Sequence, residues 1–345
     1  MKWMLLWNKM SFADRKKEIS EEILKWSFTK ESFLSVISVP YNSTKSFIQI
    51  IQHYVTENKN VIYITNEELG NINIIKNIEK HERIVDYAYV ENSENFIECK
   101  LKICNFENAI RLKEKFKLII YDDINSFSKY NKYEIFDLID KLSCKDSKVI
   151  ICSIQNIFKH SREIFMPVRK GIQIVEPRVI STRLDMNEDI PFVVYEYLRW
   201  SMDIGKKTII YVPDEQKLQN VYLYVYKYCK NFSKNIITFF DGKSNEMLIK
   251  EFLHGVNDIL ITNSFHRNIC SVKKCDIMVY FADNPQFDYK RFVYLCRGRD
   301  TGRGENSLKE EVILLANLES IHIEETKNIT RNFNRKAWKM GLLKV

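Results

Sequence analysis

Short apolar runs alternate with longer amphipathic runs along most of the chain. Apolar runs of about 4–8 residues are typical of strands buried on both faces, and amphipathic runs are typical of the helices that cross between parallel strands. The first half is therefore expected to form an α/β domain around a parallel sheet. In this half the pattern predicts strands at Phe33–Val39, Val61–Thr65, Ile84–Val90, Lys117–Asp122 and Lys148–Ile154, and helices at Phe12–Trp26, Phe47–Glu57, Asn71–Lys80 and Lys132–Leu142.

The pattern weakens in the middle of the chain and then resumes. Three prolines, Pro167, Pro177 and Pro191, lie in or beside the weak stretch between Gln155 and Asp189. Because 345 residues suffice for two domains of about 150–170 residues, we expect an N-terminal domain over 1–160, a linker over 161–190 and a C-terminal domain over 191–345. The C-terminal half predicts strands at Thr208–Val212, Ile236–Phe240, Ile259–Thr262, Ile277–Phe281 and Glu311–Ala316, and helices at Glu215–Tyr228, Glu246–Leu253 and Phe287–Arg297.

The composition excludes several classes of protein. Hydrophobic residues at 45% and charged residues at 28% are values of a folded globular chain and not of a disordered one. No apolar run approaches the ~18 residues of a membrane span, so we expect a cytoplasmic protein with at most peripheral membrane contact. Eight cysteines without a C-x-x-C pair predict reduced thiols and no zinc site. The net charge of +8 favours polyanionic partners only mildly.

A Lys-Ser pair follows the first predicted strand and opens the next helix. This is the position at which a phosphate-binding loop places its lysine, here Lys45, and its magnesium-binding hydroxyl, here Ser46. The preceding residues Asn42, Ser43 and Thr44 include neither glycine of the G-x-x-x-x-G-K-S/T pattern, and only one of the nine glycines of the chain lies in its first 170 residues. A Lys-Ser pair before a helix is also common without any phosphate, so both interpretations stand.

Two adjacent carboxylates end a buried strand. An acid at this end of a parallel strand, beside a phosphate loop, can hold Mg2+ through water, which suits Asp122. Its neighbour Asp123 can orient an attacking water, although it is one methylene shorter than the glutamate usual in this role. The alternative for Asp123 is a cap on the following helix.

Two basic segments lie in the second half. The turn from Arg297 to Arg303 presents Arg299 and Arg303, and an arginine facing an interdomain cleft can stabilise a transferring phosphoryl group. A basic surface turn is the alternative.

The last predicted helix repeats a cation every four residues, at Lys327, Arg331, Arg335 and Lys339, which places all four on one face. That face predicts either contact with nucleic-acid phosphates or an ordinary solvated helix surface.

These elements, in order, resemble those of superfamily 2 helicases, and more closely the late-competence DNA-uptake family ComFA, with PriA-like helicases as more distant kin. The resemblance extends through most of the chain. The family motifs correspond as follows: PTGSGKT to Pro40–Ser46, T-T-H to the region near Cys104–Phe106, DEVDAFPY to Asp122–Lys129, S-A-T to Cys152–Ile154, LIFVP to Ile209–Pro213, TTTILERG to Ile261–Asn268, Q-x-x-G-R-x-G-R to Leu295–Gly302, and the basic ComFA terminus to Ile329–Leu343.

The resemblance implies a fold and a set of ligands. The fold would be two tandem RecA-like domains, each a parallel sheet with flanking helices, around an interdomain cleft. ATP with Mg2+ would lie in the cleft, the metal held by Ser46 and Asp122, and Arg267 would be a nucleotide-binding residue. Single-stranded DNA would cross both domains, and competence proteins, among them a phosphoribosyltransferase-like companion and the membrane DNA channel, would be partners.

The chain also departs from the family pattern. The loop has no glycines, Asp123 replaces a glutamate, Asn125 replaces the last acid of its box, and Leu295 replaces a glutamine. The amino-terminal cysteine zinc module is missing, and Glu67 and its neighbour follow a strand after which helicases often carry an arginine for the DNA backbone. The loss of one catalytic group can lower a rate by about 10²–10³.

We therefore expect a helicase-fold protein that binds single-stranded DNA in competence and DNA uptake, with ATP hydrolysis weak or lost. One alternative is an active ATP-dependent DNA translocase. The other is a protein-interaction scaffold without DNA binding.

Overall fold

The computed structural model describes most of the chain. The described residues are 12–40, 42–80, 86–91, 99–125, 130–158, 161–166, 173–265, 267–270, 272–297 and 309–343. They divide into two compact units, one formed by Met1–Gly171 with Ala337–Val345 and the other by Ile172–Lys336.

The first unit is a parallel sheet with helices between its strands. The strands are β1 Phe33–Ile37, β2 Val61–Thr65, β3 Tyr87–Tyr89, β4 Leu101–Cys104, β5 Phe116–Asp122, β6 Ser143–Ser153 and β7 Arg162–Phe165, and the helices are α1 Phe12–Ser27, α2 Ile48–Thr56, α3 Asn73–Glu79, α4 Phe106–Arg111 and α5 Lys132–Leu142. Across the sheet the strands lie in the order β3-β4-β2-β5-β6-β1-β7, and each neighbouring pair is parallel. A 3-10 turn, Thr44–Phe47, links the loop after β1 to helix α2.

The second unit repeats this architecture. Its sheet is also wholly parallel, with the order β10-β11-β9-β12-β13-β8. The strands are β8 Arg178–Ser181, β9 Lys207–Tyr211, β10 Ile236–Phe239, β11 Ile259–Thr262, β12 Cys275–Val279 and β13 Val312–Ala316, and the helices are α6 Phe192–Asp203, α7 Glu215–Cys229, α8 Met247–His254, α9 Arg267–Cys270, α10 Tyr289–Cys296 and α11 Ile321–Lys339, whose residues from Ala337 onward belong to the first unit. The predicted α/β class with two parallel sheets is thereby confirmed.

The central strands are apolar on both faces because helices cover both sides of each sheet. Every residue of β2, β11, β12 and β13 is buried. Helix α1 contributes Ile19, Ile23 and Trp26, which lie on one helical face and are fully buried where α1 packs against α2 and the 3-10 turn. The cores therefore lie between each sheet and its flanking helices.

A buried ion pair anchors the second sheet to its helices. The Nζ atom of Lys206, just before β9, lies 3.0 and 3.1 Å from the carboxylate oxygens of Asp276 in β12, and both side chains are almost wholly buried. The same carboxylate accepts hydrogen bonds from the Ser201 hydroxyl at 2.9 Å and from the Glu311 backbone N–H at 2.9 Å. Both charges are thus fully compensated inside the protein.

Two short strands, β7 and β8, lie among the described residues of the predicted linker over 161–190. Strand β7 pairs with β1 at one edge of the first sheet, and β8 pairs with β13 at one edge of the second. Both strands have four residues, of which about half are polar and exposed, so they lack the apolar run that marks a buried strand. Each sheet takes one edge strand from this segment.

Gly255, which ends α8, is expected to be intolerant of a side chain. A Cβ atom there would lie 1.5 Å from the Asp258 carboxylate oxygen Oδ2, and that carboxylate is fully buried and accepts a hydrogen bond from Asn235 at 3.1 Å. Gly255→Ala should lower the free energy of unfolding by about 1–3 kcal/mol in urea denaturation. In an Asp258→Ala background the same change should be nearly neutral. An equal loss of unfolding free energy in both backgrounds would show that the clash with the Asp258 carboxylate is not the cause.

Candidate functional site

The loop after β1 is held by side-chain hydrogen bonds. Asn42 is buried, its Nδ2 donates to the Ser38 hydroxyl at 3.0 Å, and its Oδ1 accepts the Ser43 N–H at 2.9 Å. The Ser43 hydroxyl in turn accepts the Lys45 N–H at 3.3 Å and caps the 3-10 turn. Among the described residues, the positive-φ positions lie elsewhere in the chain. Residues Asn42–Ser46 of the loop therefore lack the left-handed backbone that glycines give a phosphate loop.

Thr44 occupies the place of the last loop glycine and is tied to helix α3. It is fully buried, its hydroxyl donates to Asn73 Oδ1 at 3.1 Å, and it accepts from Asn77 Nδ2 at 3.1 Å. The Glu67 carboxylate holds the start of α3 by accepting the Asn73 N–H at 2.9 Å. The Thr44 side chain is thus fixed against α3 by two hydrogen bonds.

Lys45 and Ser46 lie on the side of the 3-10 turn that faces α1. Lys45 is exposed and Ser46 is buried, and the Ser46 carbonyl accepts a hydrogen bond from the Ser20 hydroxyl at 3.1 Å. A cavity of about 520 Å³ opens here, with Lys16, Lys17 and Lys45 among its lining residues. The lysine of the predicted phosphate loop therefore shares a cavity with two lysines of α1.

Asp122, the predicted magnesium ligand, is fully engaged by protein donors. Its Oδ2 accepts from the Tyr63 hydroxyl at 2.5 Å and from Asn125 Nδ2 at 2.9 Å, and its Oδ1 accepts from the Ile124 N–H at 3.1 Å. Only 1% of Asp122 is exposed, and burial raises the pKa of its carboxyl, although these hydrogen bonds act in the opposite direction. Burial and the neighbouring Asp122 charge hold the pKa of Tyr63 well above its ordinary value, so the phenol remains a donor.

This arrangement does not fit a magnesium site. A metal-bound water needs an exposed carboxylate lone pair, and those of Asp122 point to Tyr63, Asn125 and the backbone. Within the described ranges, no group of three or more His, Cys, Asp and Glu residues is placed to hold a metal ion. Protein donors thus hold the Asp122 carboxylate at the end of β5, whereas Asn125 Oδ1 in the same cluster is buried without a hydrogen-bond partner among the described residues.

The raised pKa of Asp122 predicts a pH dependence of stability. Because the folded state binds this proton more tightly than the unfolded state, the contribution of Asp122 is largest below its ordinary pKa of 3.8 and is lost as pH rises through the folded value. Asp122→Asn should therefore gain stability relative to the wild type between about pH 4 and about pH 7. Urea unfolding of both proteins across this range measures the difference in their free energies of unfolding. If the advantage of Asp122→Asn shrank as pH rises, the pKa of Asp122 would be lowered by folding and not raised, which would contradict this prediction.

Asp123 lies beside the end of β6. It is 5% exposed, and its backbone N–H donates to the Cys152 carbonyl at 2.8 Å. The alternative reading of Asp123 as a helix cap is wrong for α5, which is capped by Asn131 in a capping box with Glu134. Burial, followed by the Asp122 and Asp123 charges, holds the pKa of the Cys152 thiol well above its ordinary value.

The arginines predicted to act on a nucleotide are described only in part. Arg267 is the first residue of α9, whereas Arg299 and Arg303 lie outside the described residues. Near α9, the rings of Tyr211 and Phe265 stack at 4.7 Å, and the Arg291 guanidinium lies 5.4 Å from the Phe265 ring centre.

Of the four cations predicted on one face of α11, three are exposed, whereas Lys327 is half-buried and paired with Glu319. Arg331, Arg335 and Lys339 are exposed, and the opposite side of the helix buries Ile329 and Phe333. Arg331 Nε donates to Glu176 Oε1 at 2.7 Å, which raises the pKa of its guanidinium, and Arg335 donates to Asn332 at 2.8 Å. Trp338, 52% exposed, adds an aromatic ring on this helix.

Three features of the site did not follow from the sequence alone. The first is the hydrogen bond from the Tyr63 hydroxyl to Asp122. The signal that could have indicated it is a tyrosine hydroxyl within the buried strand VIYIT. Lys16 and Lys17 give no sign of their proximity to Lys45, which depends on how α1 packs. Glu67, which follows a strand after which helicases often carry an arginine, is buried and accepts the N–H that begins α3.

No protein-family model and no curated protein sequence matches the chain. Solved structures with a TM-score above 0.5 include the DExH-box NTPase HrpB of E. coli (0.54, 11% identity, 90% of this chain and 42% of that one). They also include S. cerevisiae Dbp5 bound to RNA and ADP BeF3, with a TM-score of 0.52 and 12% identity over 94% of this chain and 93% of that one. A third is S. tokodaii Xpd4, with a TM-score of 0.52 and 10% identity over 95% of this chain and 98% of that one. The chain spans about two fifths of the length of HrpB. At these identities the likeness concerns the fold alone, which is two RecA-like domains in tandem.

Proposed function

We propose that the chain is a helicase-fold protein that binds single-stranded DNA in competence and DNA uptake, and that its ATP hydrolysis is weak or lost. The observation that carries the loss of hydrolysis is the Asp122 carboxylate, which is buried and bonded to Tyr63, Asn125 and the backbone. Phosphoryl transfer depends on metal ions that neutralise developing charge, and this carboxylate is the acid that would have to hold one.

The loop after β1 supports the same conclusion. The Thr44 hydroxyl bonds Asn73 and Asn77, and the described loop residues Asn42–Ser46 have none of the positive φ angles of a glycine-rich turn. Removing one well-placed catalytic group costs about 10²–10³ in rate, and two are altered here.

The surface of α11 supports nucleic-acid binding. Arg335 and Lys339 are exposed cations one helical turn apart, and Trp338 lies between them in sequence with half of its surface exposed. Cations that follow a phosphate backbone and aromatic rings that stack on bases are the usual components of a single-strand binding surface. The role in competence and the competence partners rest on the resemblance of the motifs and of the basic terminus to ComFA.

The scaffold alternative is favoured by exposed apolar side chains on the second unit. Phe192 of α6 and Leu223 of α7 are 77% and 67% exposed, and such side chains are typical of protein contacts when they lie together. A scaffold would bind no single strands even at low salt.

ATP hydrolysis by the purified protein, with and without single-stranded DNA, tests the proposal beside a Lys45→Ala control. We expect no DNA-stimulated rate above that of the control and, by fluorescence anisotropy, clear binding of a labelled oligonucleotide that weakens as salt rises. A DNA-stimulated rate that Lys45→Ala abolishes would establish the translocase alternative instead. Absence of binding at low salt would establish the scaffold.

One finding bears on the membrane. No helix among the described residues combines the length and the apolar character needed to cross a bilayer.

A further inference from the structure

A cavity of about 470 Å³, here called the phenylalanine pocket, opens at the end of the first sheet where its strands begin. Two of its lining residues, Phe33 and Ser143, are the first residues of β1 and β6. Asp122 is the last residue of the parallel strand β5, so it lies at the opposite end of the sheet. The volume is in the range of small-molecule sites.

A bulge in β6 forms one side of the phenylalanine pocket. Between two successive register pairs, β6 has the four residues 144–147 where β5 has only Lys117, so this segment leaves the ladder. The Ser147 hydroxyl holds the bulge by donating to a β5 carbonyl at 2.7 Å and accepting the Cys144 N–H at 2.8 Å. Asp146 within it has a φ of +62°, an uncommon value for a residue other than glycine. Bulges often direct side chains toward a binding site, and this one brings Cys144 and Asp146 to the cavity.

Three phenylalanine rings form the apolar wall. The centre of the Phe158 ring lies 4.8 Å from that of Phe33 and 4.9 Å from that of Phe136, on which it stacks. Asn156 fixes Phe158 by accepting its N–H at 2.9 Å, and the same amide oxygen accepts the Ser35 hydroxyl at 2.7 Å. Phe33 remains 38% exposed. Accessible aromatic surface of this kind binds apolar groups and attracts cations.

The charged part of the lining is acidic. Asp140 of α5 and Asp146 of the bulge both line the cavity and are exposed, and none of the described lining residues is a lysine, arginine or histidine. The Lys148 ammonium, on which the Asp146 charge acts, donates to the carbonyls of Thr29 and Glu31. The phenylalanine pocket therefore combines aromatic surface with two negative charges, which makes it complementary to an organic cation.

We propose that the phenylalanine pocket binds a small organic cation, whose apolar body packs on the phenylalanine rings and whose positive group is attracted by Asp140 and Asp146. Exposed ion pairs are weak by themselves, so the rings supply most of the affinity and the carboxylates supply the preference for positive charge. The site uses none of the residues on which the proposed function rests, so each can fail without the other.

Isothermal titration of the full chain with benzamidine, an aromatic ring that carries an amidinium group, is the first experiment. Benzamide, which is neutral and of nearly the same shape, is the matched ligand and should bind at least about fivefold more weakly. The double change Asp140→Asn with Asp146→Asn should abolish this difference. Phe136→Ala should weaken both ligands about tenfold, because it removes a ring of the wall. Asp137→Asn, exposed on the same helix and outside the lining, is the control and should alter neither affinity.

Alkylation of Cys144 shows where the ligand binds. Cys144 and Cys99 are the two cysteines that are not buried, and only Cys144 lines the phenylalanine pocket. Benzamidine at twice its Kd should slow the reaction of Cys144 with iodoacetamide about threefold, since it leaves a third of the sites empty. The reaction of Cys99 should not change. Mass spectrometry of the labelled peptides gives both rates.

Thermal unfolding without ligand reports whether each variant folds. If Phe136→Ala does not fold, Phe136→Leu takes its place, since it keeps most of the volume and still removes the aromatic ring. Equal affinity for benzamidine and benzamide would overturn the proposal, as would a preference for benzamidine that survives the double aspartate change. Equal protection of Cys144 and Cys99, or protection of neither, would place the ligand outside the phenylalanine pocket and reject it as well.

Discussion

Replacing Lys206 with methionine is expected to lower the free energy of unfolding by about 3–5 kcal/mol, the largest loss that we predict for a single substitution. Lys206 and Asp276 are 1% and 0% exposed, and the lysine Nζ lies 3.0 Å from the carboxylate. Methionine fills much of the same volume, so the loss comes from an Asp276 charge left buried without its cation, although the Ser201 hydroxyl and the Glu311 backbone N–H still donate to it. Equilibrium urea denaturation measures it.

Two comparisons isolate the buried charge. Lys207→Met removes the adjacent lysine, whose Nζ donates to the Phe252 and Leu253 carbonyls at 2.7 Å, and should cost only about 1 kcal/mol. Adding Asp276→Asn to Lys206→Met should recover part of the loss, since the amide carries no charge, its oxygen can still accept the Glu311 N–H, and its NH2 group can donate to the Ser201 hydroxyl oxygen. A Lys206→Met protein no less stable than Lys207→Met would show that the pair carries little of the stability.

Neutralising the basic face of α11 is expected to have the largest effect on function. The triple change Arg331→Gln, Arg335→Gln and Lys339→Gln should weaken binding of a single-stranded oligonucleotide by at least about tenfold at low salt. It should also reduce the slope of log affinity against log salt by about 2, or 0.7 for each lost phosphate contact. Fluorescence anisotropy over a series of salt concentrations gives both quantities.

The ion pair of Arg331 makes this prediction more specific. Because Glu176 already bonds the Arg331 guanidinium, Arg331→Gln alone should have less effect than Arg335→Gln, and Glu176→Gln should strengthen binding. A control with the same change in charge, Lys227→Gln with Lys230→Gln and Lys250→Gln, alters exposed lysines of the second unit away from α11. Equal losses in the control and in the triple variant would mean that net charge, and not this helix, governs affinity.

Strongly patterned elements were predictable from the sequence with their correct ends. Val61–Thr65, Ile259–Thr262 and Lys132–Leu142 have the predicted bounds, because an uninterrupted apolar run or an amphipathic run with a capping residue determines each. Strand β4, in contrast, includes Lys102, whose side chain is buried beside Glu114 at 2.5 Å. The charge breaks the apolar run, and only the tertiary partner explains its burial.

The sequence indicates where the residues of the candidate site lie along the chain, but not which side chains they contact. The sequence placed Lys45 and Asp122 after the correct strands, since both follow clear apolar runs. It did not show that Asp122 bonds Tyr63 or that Lys45 shares a cavity with Lys16, because both contacts join residues distant in the chain. Local pattern carries no information on such pairs.

The strand order of the two sheets has a consequence for how the protein is made. In the first sheet, β1 is synthesised first but lies between β6 and β7, the last two strands of that sheet to be made. In the second, the first strand made, β8, pairs only with the last, β13. During translation each nascent unit must therefore keep its earliest strand unpaired until more than a hundred further residues have left the ribosome. Such late long-range pairing slows folding and exposes apolar strands, so we expect newly made chains to depend on chaperones.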